Sequence, residues 1–176
     1  FKLSEYSSSG VKLLQIANVS FQEIIWDNLA YLPEEYMDSY SNLVLQERDL
    51  LMALNRPILG GRIKFAFLKS KDAPSILYQR VGKFVIDKKR LHPSYLFGFM
   101  LTQYFYNELK NRLAGSDQPY INPTELVKMK FFLPPLSLQE EFAGVVARVE
   151  SLGGRMGEST RQVEGLFESL LAESFS

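Results

Sequence analysis

The spacing of hydrophobic residues along the chain changes at Pro135. Before it, apolar residues occur in short, partly alternating runs bounded by Gly, Pro, Asn and Ser, which is typical of β-strands. We predict a strand pair within residues 11–29 and further strands at 49–54, 62–68, 75–79, 83–86 and 127–133.

The segment 92–113 has helical spacing instead. Pro93 suits a first helical turn, and Leu96 and Leu109 are among the apolar residues that share one helix face. We expect Gly115 to end this helix and a short helical turn to follow at 121–126. The elements together predict an α+β fold, with a mixed α/β domain before Pro135.

After Pro135 the pattern predicts one long helix. Ser137 and Glu140 have the spacing of a capping box, which indicates a helix start. Apolar residues occupy nine of eleven positions spaced alternately by four and three: Leu138, Phe142, Val145, Val149, Leu152, Met156, Ser159, Val163, Leu166, Leu170 and Glu173. Such a helix would be roughly 54 Å long, longer than a small domain needs. We therefore predict a domain at 1–136 and a coiled-coil helix at 137–176, with an ordinary helix packed on its own domain as the alternative.

The composition narrows the possible classes. The 176 residues are 46% hydrophobic and 13% aromatic, which is enough for a core. The chain has no Cys and a single His, so neither disulfides nor a thiolate or His-based zinc site is expected. Apolar stretches fall far short of the ~20 residues that cross a bilayer, and we expect a cytoplasmic protein without a membrane contact. The chain begins with Phe1, so we expect the natural N-terminus to lie upstream.

Charge is distributed unevenly along the chain. Residues 1–136 contain 17 Lys and Arg against 13 Asp and Glu, whereas residues 137–176 contain 3 against 7. Within 48–90 the count is 11 basic against 3 acidic, with aromatic residues interleaved. A surface that gathers these cations would attract nucleic-acid phosphates. The alternative is a half-exposed strand that directs basic side chains into solvent.

No catalytic constellation is evident. His92 stands directly before Pro93, where a capping or surface role is the simpler interpretation. The phosphate-binding patterns GxGxxG and GxxxxGK[ST] do not occur. Pro134 and Pro135 suggest the diproline of adenine methyltransferases, but the polar residue that should precede it is absent. We predict no catalytic residue, no cofactor and no metal.

Several short motifs occur in an order that points to a known family. Gln15-Ile16-Ala17-Asn18-Val19 comes first, and Asp49 to Met52, Gly61-Arg62 and Gln79-Arg80 follow. The run Gly115-Ser116-Asp117-Gln118 precedes KMKFFLPPLSLQEEF, in which Pro134, Pro135, Gln139 and Phe142 stand. This arrangement resembles a target recognition domain, with the start of its helix, from a type I restriction-modification specificity subunit.

The resemblance implies a non-catalytic subunit whose two recognition domains each read one half of a bipartite site in double-stranded DNA. Methyltransferase and restriction subunits would join it. This chain has only one such domain and one helix, so it is either half of a longer subunit or a half-size form that dimerises through the helix. Two alternatives remain open: a recognition domain of a fused methyltransferase-nuclease, and a coiled-coil scaffold that binds no DNA.

Candidate site residues follow from loop position and side-chain chemistry. Candidates for base or backbone contact are Asn55, Arg56, Arg62, Ser116 and Gln118. Candidates for phosphate contact are Lys69, Lys71, Lys88, Lys89 and Arg90. The predicted helix interface comprises Leu138, Phe142, Val145, Val149, Leu152, Met156, Val163, Leu166 and Leu170. For each polar candidate, the alternative is an ordinary solvated surface residue.

Overall fold

A computed structural model describes residues 1–148. The predicted interface residues from Val149 onward lie outside that range. The chain divides into two units, one formed by 1–86 and 99–132, the other by 87–98 and the chain from 133 onward. Strands and helices alternate irregularly, which confirms the predicted mixed α/β class.

Nine strands occur in the described part of the chain: β1 (Val11–Leu14), β2 (Tyr31–Leu32), β3 (Val44–Leu45), β4 (Leu50–Ala53), β5 (Ile58–Leu59), β6 (Arg62–Ile63), β7 (Phe65–Phe67), β8 (Ser75–Leu77) and β9 (Val81–Lys83). The helices are α1 (Tyr36–Ser39), α2 (Pro93–Met100), α3 (Gln103–Asn111), α4 (Pro123–Val127) and α5, whose described part covers 136–148. None of the helices within 1–148 is long and apolar enough to span a bilayer.

The strands of the first unit form three small sheets. One has the order β2-β1-β8-β3, with β1 and β8 parallel in its centre, and a second has the order β7-β4-β9. The hairpin of β5 and β6 is the third. Parallel strands need cover on both faces, and Leu13 and Ile76 in the central pair are fully buried. Strand β4 is buried along its whole length, so the two larger sheets supply the core.

Short apolar runs predicted most strands but not all of their bounds. Within 11–29 only β1 is a strand, and its antiparallel partner is β2 at Tyr31–Leu32. The predicted strand at 83–86 lies earlier, at Val81–Lys83. The run 62–68 is divided between β6 and β7 at Lys64, whose N–H donates to the Pro57 carbonyl (2.8 Å) before β5 and whose carbonyl accepts the Ala53 N–H (3.0 Å) of β4.

Two further predictions were wrong for local reasons. The helix expected over 92–113 is divided into α2 and α3, because the Thr102 hydroxyl accepts the Phe105 N–H (3.2 Å) and starts a new helix. The strand expected at 127–133 does not form. Asn122 caps α4 by accepting the Thr124 N–H (3.0 Å), so Val127 ends a helix and the chain then continues without regular structure to 135.

Helix α5 begins one residue before Ser137, which therefore lies within the first turn. The Pro135 carbonyl accepts the Leu138 N–H (3.0 Å) and the Gln139 N–H (3.3 Å). The predicted capping box places Ser137 at the helix boundary, and that position belongs to Pro135 instead. Ser137 and Glu140 are both exposed.

Candidate nucleic-acid interface

Two loops of the first unit are joined by backbone hydrogen bonds. The Arg56 N–H donates to the Pro119 carbonyl (2.6 Å), and the Ile121 N–H donates to the Leu54 carbonyl (2.8 Å). Asn55 also forms an antiparallel bridge with Tyr120. The structure therefore brings Asn55 and Arg56 beside the turn that contains Ser116 and Gln118, four candidates that are far apart in the sequence. We call residues 54–64 and 114–121 the joined loops.

Glycines with positive φ shape both loops. Gly60 (φ +56°) and Gly61 (φ +75°) form the two-residue turn between β5 and β6, and both central residues of such tight hairpins need positive φ. Gly115 (φ +81°) begins the other turn, where an added Cβ would lie 3.1 Å from the Gln118 carbonyl oxygen. These turns fix the positions from which Arg62 and Gln118 project.

An aromatic ring holds the Arg62 side chain. Its guanidinium lies 4.2 Å from the centroid of the Phe21 ring. The electrostatic attraction between a guanidinium and a ring face is favourable, and this contact keeps the planar set of N–H donors in one orientation. Arg62 is nevertheless exposed, so its hydrogen-bond donors face solvent.

Lys64, which was not predicted as a site residue from the sequence, lies close to Arg56. Lys64 is half-buried, and its ammonium has no acceptor within residues 1–148. Burial lowers the pKa of Lys64, and the neighbouring Arg56 guanidinium lowers it further. A cation in this environment is stabilised by an incoming anion. Lys64 alternates with apolar residues as in a half-exposed β-strand, a pattern that indicates a solvated side chain and no binding role.

Acidic side chains around the basic segment are engaged within the fold. Asp49 forms an ion pair with Lys83 (2.7 Å). Asp72 is buried and accepts the Trp26 indole N–H (2.7 Å) and the Lys69 backbone N–H (3.3 Å). The positive charge of the joined loops is therefore not neutralised by these two carboxylates.

The other basic candidates lie elsewhere. Lys69 and Lys71 are exposed at the 3-10 turn Ser70–Asp72, where the Lys71 carbonyl accepts the Lys12 ammonium (2.8 Å). Within residues 1–148 no hydrogen bond or ion pair connects them to the joined loops. Lys88, Lys89 and Arg90 belong to the second unit and are exposed in a turn around Asp87, whose side chain accepts the Lys89 N–H (3.0 Å).

The start of α5 carries three of the predicted interface residues. Leu138, Phe142 and Val145 are 53%, 40% and 52% exposed. Phe142 is partly covered within its own unit, because its ring meets Tyr95 edge-on (centroids 5.9 Å apart) and lies against Gly98. The first turns of the helix therefore contact their own unit through Phe142 and leave Leu138 and Val145 about half exposed.

Gln139 fixes the start of α5. Its side chain is fully buried, accepts the His92 N–H (2.8 Å), and donates to the carbonyls of Arg90 (3.0 Å) and Pro134 (2.8 Å). His92, for which a capping or surface role is predicted, takes part in this contact through its backbone, and its Nδ1 accepts the Ser94 N–H (3.2 Å). Within residues 1–148 no group of three or more His, Cys, Asp and Glu side chains could hold a metal ion.

Comparison with known proteins identifies the family. Residues 16–152 match the type I restriction modification DNA specificity domain. The chain is 42% identical over 164 residues to the type I restriction enzyme MjaVIII specificity subunit of Methanocaldococcus jannaschii, covering 93% of this chain and 39% of that protein. It is 27% identical over 152 residues to the EcoAI specificity subunit of Escherichia coli, covering 86% and 25%.

The chain thus spans about two fifths and one quarter of the lengths of these two relatives. The match extends over both described units and confirms the resemblance that the short motifs indicated. The chain belongs to the type I restriction-modification DNA specificity domain family.

Proposed function

We propose that this chain binds double-stranded DNA and reads one half of a bipartite target on behalf of a type I restriction-modification complex. It contributes recognition and leaves catalysis to methyltransferase and restriction subunits, and it acts in the cytoplasm without a cofactor. The observation that carries the proposal is the joined loops, on which Arg56 lies close to Lys64 and Arg62 lies over the Phe21 ring, with none of these three cations in an ion pair within residues 1–148.

The candidate residues divide into two roles. Side chains that end in planar donor or acceptor groups read base edges. The candidates for this role are Asn55, Arg56, Arg62 and Gln118, with Ser116 as a weaker reader. Lysines that contact phosphates fix the register of the protein on the duplex. The candidates for this role are Lys69, Lys71, Lys88 and Lys89, together with Arg90. Lys64 joins the phosphate-binding group because its ammonium is close to Arg56.

A salt titration with duplex DNA tests DNA binding. Each neutralised phosphate should contribute about −0.9 to the slope of log K against log salt. We expect a steep slope for this chain, and a flat response would contradict DNA binding and favour a scaffold role. Arg62→Ala should cost about 1 to 3 kcal/mol of discrimination at one base position, measured over a series of variant duplexes.

We also propose that α5 continues as the predicted coiled-coil helix and pairs with a second specificity half or with a second copy of the chain. The exposed Leu138 and Val145 at its start support this. Replacing Val145 and Val149 with Asp should abolish pairing in sedimentation experiments. Ala147→Asp with Ser151→Asp adds the same charge at positions outside the seam and should leave pairing intact. Pairing that survives the seam substitutions would contradict this interface.

A further inference from the structure

A cleft of about 170 Å³ lies in the first unit next to Arg62. Its polar lining comes from three separate segments: the loop that carries Gln22, the β5–β6 hairpin, and the start of α3 with Thr102, Gln103 and Tyr106. Of the cleft's residues, the sequence analysis selected only Arg62.

Of the non-glycine residues that line the cleft, only Gln22 has a left-handed backbone, a conformation that Arg48, Arg56 and Arg80 adopt elsewhere within residues 1–148. The φ of Gln22 is +66°, a left-handed value that costs energy for residues other than Gly and Asn. Its N–H donates to the Phe65 carbonyl (2.8 Å), and the adjacent Phe21 forms a parallel bridge with Phe65, so neighbouring strand residues hold the loop in place.

The Gln22 side chain is exposed and makes no hydrogen bond within residues 1–148, so it does not offset the energy of this backbone conformation. Residues kept in costly backbone conformations without a packing reason occur preferentially at functional sites. A glycine would adopt the same backbone at lower cost, so a carboxamide at this position points to a role outside the fold.

The two neighbouring polar side chains are held in place. The Arg62 guanidinium lies over the Phe21 ring at 4.2 Å. The Gln103 side chain donates its Nε2 to the Asn107 Oδ1 (2.9 Å), which fixes the direction of its amide. Both are exposed, so the cleft presents one guanidinium and two carboxamides to solvent.

We propose that this cleft is a base-reading subsite in which Gln22 recognises an adenine edge. A carboxamide accepts from adenine N6 and donates to N7, and the guanidinium of Arg62 can at the same time contact guanine O6 and N7 at a neighbouring base pair. This inference rests on the proposed DNA-binding function and adds to it a specificity-determining residue outside the joined loops.

The test is selection from a library of duplexes with randomised base pairs, using the 176-residue chain. The unsubstituted chain should enrich adenine at one fixed position. Gln22→Gly should lower that enrichment about tenfold and leave the other positions unchanged. The midpoint of urea unfolding should stay the same or rise, because Gly relieves the left-handed backbone.

Gln46→Ala serves as the matched control, because Gln46 is also an exposed glutamine but does not line the cleft. It should give the same enriched sequences as the unsubstituted chain. An unchanged preference in Gln22→Gly, or an equal loss at every position, would overturn the role of Gln22 while leaving DNA binding intact. If the unsubstituted chain enriches no sequence, the proposed DNA-reading function itself fails.

Discussion

The joined loops and the start of α5 use polar side chains in opposite ways. In the joined loops, backbone hydrogen bonds such as Arg56 N–H to the Pro119 carbonyl hold the structure, and the charged side chains project outward. At the start of α5 a side chain forms the structure, because buried Gln139 bonds three backbone groups from two segments. Each region belongs to a different unit of the chain.

The difference separates residues that build the fold from residues that are available to a ligand. The Gln139 amide uses its carbonyl oxygen and both N–H groups within the protein and is fully buried, so it is not available to a partner. Arg62 and Lys64 keep their hydrogen-bond donors available to a ligand. Substitutions at Gln139 should therefore change stability, whereas substitutions at Arg62 or Lys64 should change binding.

The largest expected effect is on stability at Gln139. Gln139→Leu fills a similar volume but leaves the His92 N–H and the carbonyls of Arg90 and Pro134 without their partner. Buried groups left unpaired cost about 1 to 3 kcal/mol each, so we expect a loss of roughly 3 kcal/mol in the free energy of unfolding, measured with urea.

Glu140→Gln is the control for this substitution, because Glu140 is the exposed neighbour on the same helix turn. It should change the free energy of unfolding by less than about 0.5 kcal/mol. Equal stabilities of the Gln139→Leu and Glu140→Gln variants would remove the distinction drawn between the two regions.

The next effect concerns Gly98 and Phe142 in the second unit. A Cβ at Gly98 would lie 2.6 Å from the Phe142 Cε1, so Gly98→Ala must displace the ring. We expect a destabilisation of about 1 kcal/mol, although Ala is otherwise the better helix residue by a similar amount. In a Phe142→Ala background the same Gly98→Ala change should become stabilising. A double-mutant cycle measures this reversal, and additive effects would show that the contact contributes nothing.

A smaller effect is expected at Lys64, on binding rather than on folding. Lys64→Met removes a half-buried charge without an acceptor in the described residues, so the free energy of unfolding should stay the same or rise slightly. The salt slope of DNA binding should become shallower by about 0.9, equally for all duplex sequences. Lys110→Met, at an exposed position in the last turn of α3, should leave the slope unchanged. A sequence-dependent loss at Lys64 would instead assign it to base reading.

The parts of the fold that could be predicted are those in which a short run of residues determines its own secondary structure. Strands β4, β7 and β8 are buried apolar runs, and their positions were predicted from the sequence. The break between α2 and α3 was missed because the apolar spacing continues through it. A single hydroxyl, that of Thr102, starts the new helix. The strand expected at 127–133 failed for the same kind of reason, a cap at Asn122.

Candidate site residues were predictable only where their chemistry was visible in the loop itself. Asn55, Arg56 and Gln118 were selected as polar loop residues, but only the folded chain places them side by side. Gln139 was missed because its partners Arg90 and His92 lie 49 and 47 residues earlier. Gln22 was missed because a left-handed backbone at a non-glycine residue depends on contacts with Phe65 rather than on its own type.

The smallest expected effect distinguishes between Ser137 and Pro135 as the N-cap of α5. If Ser137 were the N-cap of a capping box, Ser137→Ala would cost about 1 kcal/mol. In the structure the helix already includes 136, Pro135 accepts the first amides, and Ser137 is exposed within the first turn. Ala is the better residue inside a helix, so we expect the free energy of unfolding to change by less than about 0.5 kcal/mol. A loss near 1 kcal/mol would restore Ser137 to the boundary. Gln139 would then be the second residue of a helix that is capped by its own sequence, and the start of α5 would depend less on the contacts that Gln139 makes with Arg90 and His92.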